Sequence, residues 1–387
     1  MGTAPGYRPR LAPVVGRGRQ AVKTALGLGT DQGAQLGIPV VDQASSSERA
    51  SVVDQGAQRG GAVVDQGAQR RAETPVLVAC SGGPDSLALA VVTAFFARRG
   101  DIAAGAVVVD HGLQRGSASV AAETARVLTG MGLEPVEIMT VTVSDDGSGP
   151  EASARQARYQ ALEEAAARHD ASSVLLGHTL DDQAESVLLG LARGSGTRSL
   201  SGMQFRRGRY LRPLLGLRRA DTEAICAAEG LTPWHDPTNS DPAYLRSRVR
   251  AEVLPLLEEK LGPGIAESLY RSAQILGEDA DFLEAEAARI YAELADVEPG
   301  HVSLPEEKLR SLAPALRHRV LALAAVEVGA EQPSRERIES VAALLRRRGS
   351  AGPVQLAGKV EVHRQVFGHD VPPAKRGYGS LVFTAKR

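Results

Sequence analysis

Val76-Leu77-Val78-Ala79-Cys80-Ser81-Gly82-Gly83-Pro84-Asp85-Ser86 is the stretch on which the reading of the fold turns. The apolar run that begins after Pro75 suits a strand buried on both faces, and such strands belong to parallel sheets. A glycine turn follows, and then an apolar helix expected over residues 86–99 and stopped by Gly100. Glycines without side chains let backbone N–H groups close on an anion, and the helix start behind them adds partial positive charge. Ser81, Gly82, Gly83, Pro84, Asp85 and Ser86 therefore form a candidate phosphate cradle; a plain turn capped by Asp85 or Ser86 is the simpler alternative. No Gly-x4-Gly-Lys-Ser/Thr pattern occurs, which disfavours kinase-type phosphoryl transfer.

Working outward, the pattern repeats: strands are expected at 104–109, 136–143 and 173–177, and helices at 119–131 and 151–169. Strands alternating with helices at this spacing predict an α/β fold, a parallel sheet covered by helices on both faces, with reactive loops at the carboxyl ends of the strands. The domain so outlined runs over 73–250. Beyond it, helical spacing at 249–261, 265–294, 306–328 and 334–348 predicts a smaller helical domain over 251–348 that would grip the substrate. Residues 349–387 read as a tail with short strands, from the alternation of Val354, Leu356, Val360 and Val362 and from Leu381, Val382 and Phe383.

Residues 1–72 read differently. Asp-Gln-Gly-Ala-Gln begins at Asp31, Asp54 and Asp65, and Val-Val-Asp-Gln-Gly-Ala-Gln-Arg is repeated from Val52 and from Val63. Glycines at that density weaken a helix and few large apolar groups offset the loss, so a disordered low-complexity tail is expected, and its removal through residue 70 should leave folding nearly intact.

The 387 residues are 43% hydrophobic and 24% charged, which suits a soluble globular chain. With 45 basic and 46 acidic residues the net charge is −1, so any nucleic-acid contact must come from a local patch. One candidate stands out: between Ser186 and Ala220 lie eight arginines, at 193, 198, 206, 207, 209, 212, 218 and 219, and no acid. Phe205 and Tyr210 are interleaved and could stack on a base, although a solvated loop would look the same. Only Cys80 and Cys226 are present, in no paired motif, so a reduced cytoplasmic setting fits and a disulfide framework does not. No run is long and apolar enough to span a bilayer. The basic start, Arg8, Arg10, Arg17, Arg19 and Lys23 before the first acid, has the composition of a transit peptide as well as of a tail.

Further stretches carry chemistry. Val109-Asp110-His111-Gly112-Leu113 closes the second strand; Glu151, Arg155, Arg158 and Tyr159 share a helix at spacings of three and four. In Gly177-His178-Thr179-Leu180-Asp181-Asp182-Gln183-Ala184-Glu185-Ser186, Thr179 can cap a helix whose Asp182 and Glu185 project from its first turns. Carboxylates there suit a magnesium ion or an ammonium group, or simply compensate the helix dipole. Trp234-His235-Asp236-Pro237-Thr238-Asn239 then leads to Tyr244-Leu245-Arg246-Ser247-Arg248-Val249-Arg250.

The loop at Ser81 to Ser86 resembles the PP-loop of the N-type ATP pyrophosphatases, and the other stretches together resemble the tRNA(Ile)-lysidine synthases within that superfamily, with Ser186 where threonine is common and Ser247 where asparagine is usual. The resemblance covers residues 76–250. It implies ATP as co-substrate with Mg2+, L-lysine and an isoleucine tRNA with a CAU anticodon as partners, no membrane, and a second copy of the chain as a candidate partner. It also implies two steps: cytidine O2 attacks the α-phosphate of ATP and releases diphosphate, then the lysine amine displaces AMP at C2. On this reading Asp85, Asp182, Glu185, Arg155 and Arg248 are the candidate catalytic residues, and Ser81, Gly82, Gly83, Pro84, Asp85, Ser86, Asp110 and His111 hold ATP. Arg198, Arg206, Arg207, Arg209 and Arg246 meet RNA, and Asp85 and Asp182 hold magnesium. Asp182 or Glu185 serves as base or as ammonium clamp. Thiolating relatives would bring cysteine pairs, and amidotransferase-coupled synthetases a further domain. A nucleotide or RNA binder with a degenerate site would have lost its acids, whereas Asp85, Asp182 and Glu185 all stand.

Overall fold

The computed structural model describes residues 12–28, 75–112, 116–142, 150–236, 244–346, 353–365 and 379–386. They fall into two compact units, Met1–Gly194 with Gly202–Arg271, and Ser195–Ser201 with Ser272–Arg387.

The first unit is built on the strands β1 (Val76–Ala79), β2 (Ala104–Asp110), β3 (Val136–Thr140) and β4 (Ser173–Leu176), with a short hairpin, β5 (Arg206–Arg207) and β6 (Tyr210–Leu211), at one edge. The order is β3-β2-β1-β4-β6-β5; every pairing is parallel except that of β5 with β6. Central β1 shows why its sequence is an unbroken apolar run. Val76 and Val78 enter a core shared with the helices α2 (Pro84–Arg98) and α3 (Ser117–Gly130), while Leu77 enters a separate core with Leu162, Ala165 and Ala166 of α4 (Pro150–Arg168). Successive strand residues alternate faces, so a strand covered on both sides needs apolar residues at every position.

The chain goes from β1 outward to β2 and β3, and then crosses back to place β4 on the other side of β1. Such a reversal leaves a crevice between the carboxyl ends of the two central strands. The loop from Cys80 to Asp85 leaves one of those ends, and Gly177 to Thr179 leaves the other, entering α5 (Leu180–Ala192). Gly177 is required by close approach, because a Cβ there would stand 2.9 Å from the Asp85 carbonyl oxygen and the Ser86 nitrogen.

The tail expected over 1–72 is corrected at its start. Residues Pro13–Leu26 form a helix, α1, whose Val15 and Val22 are buried in the same core as β1 and α2. Its signals are present in the sequence: Pro13 opens it, and Gly27, at φ 66°, closes it by donating to the Lys23 and Thr24 carbonyls. Gly16 and Gly18 hide the pattern, and Gly18 has a packing reason, since a Cβ there would meet Ile225 at 3.0 Å and Val92 at 3.2 Å. Deletion through residue 70 would take both valines from the core, at roughly 1.5 to 3 kcal/mol each. The repeats themselves lie outside the described residues.

A short helix α6 (Thr197–Leu200) precedes β5, and after the sheet come α7 (Arg219–Ala228), α8 (Leu245–Arg248), a π-helical turn at Val249–Val253, α9 (Leu254–Leu261) and α10 (Ile265–Leu294), within which the division between units falls. The second unit is not the helical domain with a separate tail that the sequence suggested. A five-stranded sheet, β7 (Asp296–Glu298), β8 (His301–Pro305), β9 (Val354–Leu356), β10 (Val360–Gln365) and β11 (Ser380–Ala385), runs in the order β7-β8-β11-β10-β9. It shares one core with α12 (Pro314–Glu327), which follows α11 (Glu306–Ser311), and α13 (Arg335–Leu344), around Leu304, Leu321, Val341, Val362 and Phe383. The strand alternation in β8 amounts to Val302 and Leu304, too brief to register between helical patterns. The helix expected over 306–328 is broken before Pro314, which opens α12.

Candidate active site

At the end of β1 the loop is braced from inside. The Ser86 hydroxyl donates to the Gly83 carbonyl at 3.0 Å and accepts from the Ser81 N–H at 3.2 Å. Gly82 stands at φ 83°, where a Cβ would lie 2.6 Å from the Thr124 hydroxyl, and its carbonyl accepts from the Trp234 N–H at 2.9 Å. Ser86 thus shapes the cradle, and Gly82 and Gly83 keep it open. Pro84 starts α2, with Asp85 in the first turn.

Asp85 faces α7. Its carboxylate accepts from the Thr222 hydroxyl and lies 3.6 Å from Arg219 Nε. Burial pushes its pKa up to about 6, with Asp182 adding to the rise and Thr222, Arg219 and Arg250 opposing it. Asp182 is more fully engaged. Its Oδ2 accepts from the Thr179 N–H and hydroxyl at 2.8 and 3.0 Å, and its Oδ1 lies 3.2 Å from both Arg219 and Arg250 and 3.5 Å from Arg246. Burial works to raise its pKa, but Arg246, Arg219 and the Thr179 N–H outweigh burial and hold the carboxyl below its usual range. Glu185, with no exposed surface, takes Arg246 Nε and Arg250 Nε at 2.7 Å each. Arg246 and Arg250 are four residues apart across the π-helical turn, so both reach the same carboxylates. Three buried or half-buried acids thus meet three arginines, and the charges balance.

A second cluster makes no ion pair among the described residues. Burial pulls the Arg158 pKa below the usual arginine value, and Arg155, Arg246 and Arg212 add to this while Tyr159 opposes it. Buried Arg212 donates to the Gln204 carbonyl at 2.8 Å and to the Tyr159 hydroxyl at 3.4 Å, which Arg155 also meets at 3.4 Å. Two histidines stand beside these arginines. Burial, opposed by Asp182 and reinforced by Arg212, Arg158 and Arg246, pushes the His178 pKa down to about 3, so the ring is neutral. His111 is lowered as well, first by burial and then by Arg158. The Nδ1 atoms of His111 and His178 are buried without a hydrogen-bond partner. Asp110 Oδ1 accepts from the Gly112 N–H at 3.0 Å and closes the turn, and its charge partly offsets the lowering of His111.

The arginine patch expected for RNA is divided. Arg246 belongs to the balanced cluster, and Arg198, in the second unit, is held by Glu284 and Asp281 at 2.7 and 2.5 Å. Arg209 lies 3.3 Å from Glu163; Arg206 and Arg207 are exposed with no ion pair or hydrogen bond among the described residues, and Arg248 is exposed. Tyr210 is buried, edge-on to Tyr159, while Phe205 is exposed. Sequence reasoning passed over Arg250, Arg219, Thr222, His178 and Arg212 as site residues. Of these only Arg250 had a plain signal, its spacing of four from Arg246. Residues 237–243, the centre of the Trp234 motif, and the Glu151 side chain lie outside the described residues.

The PP-loop domain family matches residues 58–257, and the TilS substrate binding domain matches residues 304–366. A tRNA(Ile)-lysidine synthase of Streptomyces coelicolor is 51% identical over 295 residues, covering 75% of this chain and 83% of its own. The chain belongs to the tRNA(Ile)-lysidine synthase family. Synthases of that name from Thermobifida fusca and Leifsonia xyli subsp. xyli are 54% and 51% identical, covering 66% and 75% of this chain and 77% and 87% of their own. Among solved structures, the U34-tRNA thiolase NcsA of Methanococcus maripaludis aligns over 53% of this chain and 73% of its own at 18% identity with a TM-score of 0.44, a likeness that carries no argument about chemistry. Within the lysidine synthase family the PP-loop is an ATP-using element, which fits the braced cradle at Ser81 to Ser86.

Proposed function

We propose that this chain joins L-lysine to C2 of the wobble cytidine of an isoleucine tRNA with a CAU anticodon, in the cytoplasm, through an adenylated cytidine. The observation that carries the reading is the arginine cluster beside the phosphate loop, which makes no ion pair among the described residues. Guanidiniums left without carboxylates, next to imidazoles held neutral, are costly unless an anionic ligand enters.

ATP in the cradle would set its phosphates against backbone N–H groups at the start of α2, with Arg158 and Arg212 near the charge that grows as cytidine O2 attacks the α-phosphate. His178, neutral and with a free Nδ1, can hydrogen-bond the cytidine ring without adding charge. Diphosphate leaves. The lysine amine then attacks C2, AMP departs with the electron pair of the C2–O bond, and the amine must give up its protons. Asp182 and Glu185 are committed to arginines and are poorly placed to accept those protons.

Magnesium fits part of the expected ligand set. Asp182 has both oxygens engaged, whereas Asp85 Oδ2 is 3.6 Å from its nearest arginine, beyond hydrogen-bond range, and would hold the ion. When bound, the metal would neutralise phosphate charge. Asp182 and Glu185 instead fix Arg246, Arg250 and Arg219 in place. The test is incorporation of labelled lysine into that tRNA with stoichiometric release of AMP and diphosphate. Diphosphate release without tRNA, or tRNA binding without lysine transfer, would reject the reading.

A further inference from the structure

The hairpin at the sheet edge carries a residue whose exposure packing does not explain. Phe205 is 45% exposed, and it is followed by Arg206 and Arg207, both exposed with no ion pair or hydrogen bond among the described residues. Its place in the fold is well fixed. β6 runs parallel to β4, so Arg212, just past its end, stands at the carboxyl edge where the phosphate loop lies. β5 is antiparallel to β6, so the residue preceding β5 returns to that same edge, and the Arg212 N–H donates to the Phe205 carbonyl at 2.9 Å.

The register also settles the face. Residues directly opposite in an antiparallel pair share a face, and residues two apart along a strand do too. Arg207 pairs with Tyr210, and Phe205 stands opposite Arg212, so all four belong to the face on which Tyr210 packs against Tyr159 of α4. An exposed aromatic ring therefore shares its face and its edge with the arginine cluster, and the exposed Arg207 lies two residues along on the same face. Arg209, at the turn and 3.3 Å from Glu163, does not join them.

We propose that Phe205 is a stacking platform for an unpaired nucleobase adjoining the reacting cytidine, with Arg207 on the neighbouring phosphate. Single-stranded loops are held in this way because every base has a π-face and every linkage a negative charge. A ring with one open face suits a base, whereas a protein partner would demand a wider apolar patch, and the neighbours of Phe205 are Gln204, Arg206 and Arg207. The inference rests on the RNA reading above and adds the position that holds the loop.

The test uses the full chain and an unmodified isoleucine tRNA transcript carrying the CAU anticodon. Phe205→Leu keeps apolar area and removes the π-face; it should weaken tRNA binding about tenfold while leaving ATP binding and the salt dependence of tRNA affinity unchanged. Phe205→Trp should restore affinity. With 2-aminopurine placed singly at the unpaired anticodon-loop nucleotides other than the reacting cytidine, one position should be quenched by wild type and by Phe205→Trp but not by Phe205→Leu. Wild-type affinity in Phe205→Leu, with the same emission at every position, overturns the platform. The double change Arg206→Ala with Arg207→Ala separates the two levels of the argument. If it flattens the salt slope while Phe205→Leu is silent, only the stacking proposal falls. If wild type neither binds the tRNA nor transfers lysine, the RNA reading falls and takes the platform with it.

Discussion

Two charged clusters occupy the reactive edge of the parallel sheet, and they are built on opposite rules. Asp85, Asp182 and Glu185 meet Arg219, Arg246 and Arg250 with the charges matched, whereas Arg155, Arg158 and Arg212 stand with two neutral histidines and make no ion pair among the described residues. The first arrangement satisfies itself. It ties α5 to α7 and to the segment around the π-helical turn, so its members act chiefly by holding one another still. The second is unfinished, because its guanidiniums meet only a carbonyl and a tyrosine hydroxyl and no carboxylate among the described residues. A matched cluster marks a frame, and an unmatched one marks where a ligand goes.

The largest expected effect comes from breaking the frame. Glu185→Gln leaves the half-buried Arg246 and Arg250 against a neutral amide and should cost about 3 kcal/mol of stability, the low end for a buried pair, read as a fall in the denaturant midpoint. An unchanged midpoint would mean that the cluster is not a frame.

Asp85 is the member of the frame that reaches toward the ligand, and Asp85→Asn should lower turnover about 100-fold without loss of fold. Its raised pKa gives the pH dependence a definite sign. In the free enzyme kcat/KM for ATP should fall as pH drops through about 6, since the ionised carboxylate is the working form. Stability runs the other way: the cost of burying this carboxylate is present above about 6 and has vanished once pH falls below the ordinary value of 3.8. Retention of the acidic limb in Asp85→Asn would assign that limb to another group.

For the unmatched cluster the expectation is reversed. Arg158→Met should slow turnover about tenfold yet leave stability within about 0.5 kcal/mol of wild type or slightly above it, because it removes a charge repelled by its neighbours. A large destabilisation would show that the cluster holds the fold after all. The smallest effect is expected at Arg17, whose pairing with Asp221 on α7 is 58% exposed on the arginine side; Arg17→Ala should shift stability by less than about 0.5 kcal/mol in a thermal melt.

Much of the frame was legible in the sequence because it sits next to signals of strong period. The apolar run at Val76, the glycines behind it and the acids at Asp182 and Glu185 lie where strand ends meet helix starts, and the fold brings those ends together. What was not legible came from contacts between distant segments. Nothing near Thr222 says that its hydroxyl will reach Asp85, which lies 137 residues away, and Arg212 reads as one more arginine of a basic run until β6 buries it. The run itself misled: an acid-free stretch of sequence is not an acid-free surface, since Glu163, Asp281 and Glu284 arrive from elsewhere to neutralise Arg209 and Arg198. β8 and α1 were missed for a related reason, being short or glycine-diluted elements whose pattern is completed only by their packing partners.

The docking of α1 changes what the repeats are. With Val15 and Val22 in the core on one side and Val76 on the other, the copies from Val52 and Val63 lie between two anchored elements rather than ahead of the first one. In genetic terms they are a tandem repeat. Gain or loss of one copy through slippage of the repeated DNA would add or remove eleven residues between fixed points. Neither anchor would have to change, so selection on the catalytic domain would be blind to copy number, and strains differing in the length of this segment should share the same enzyme.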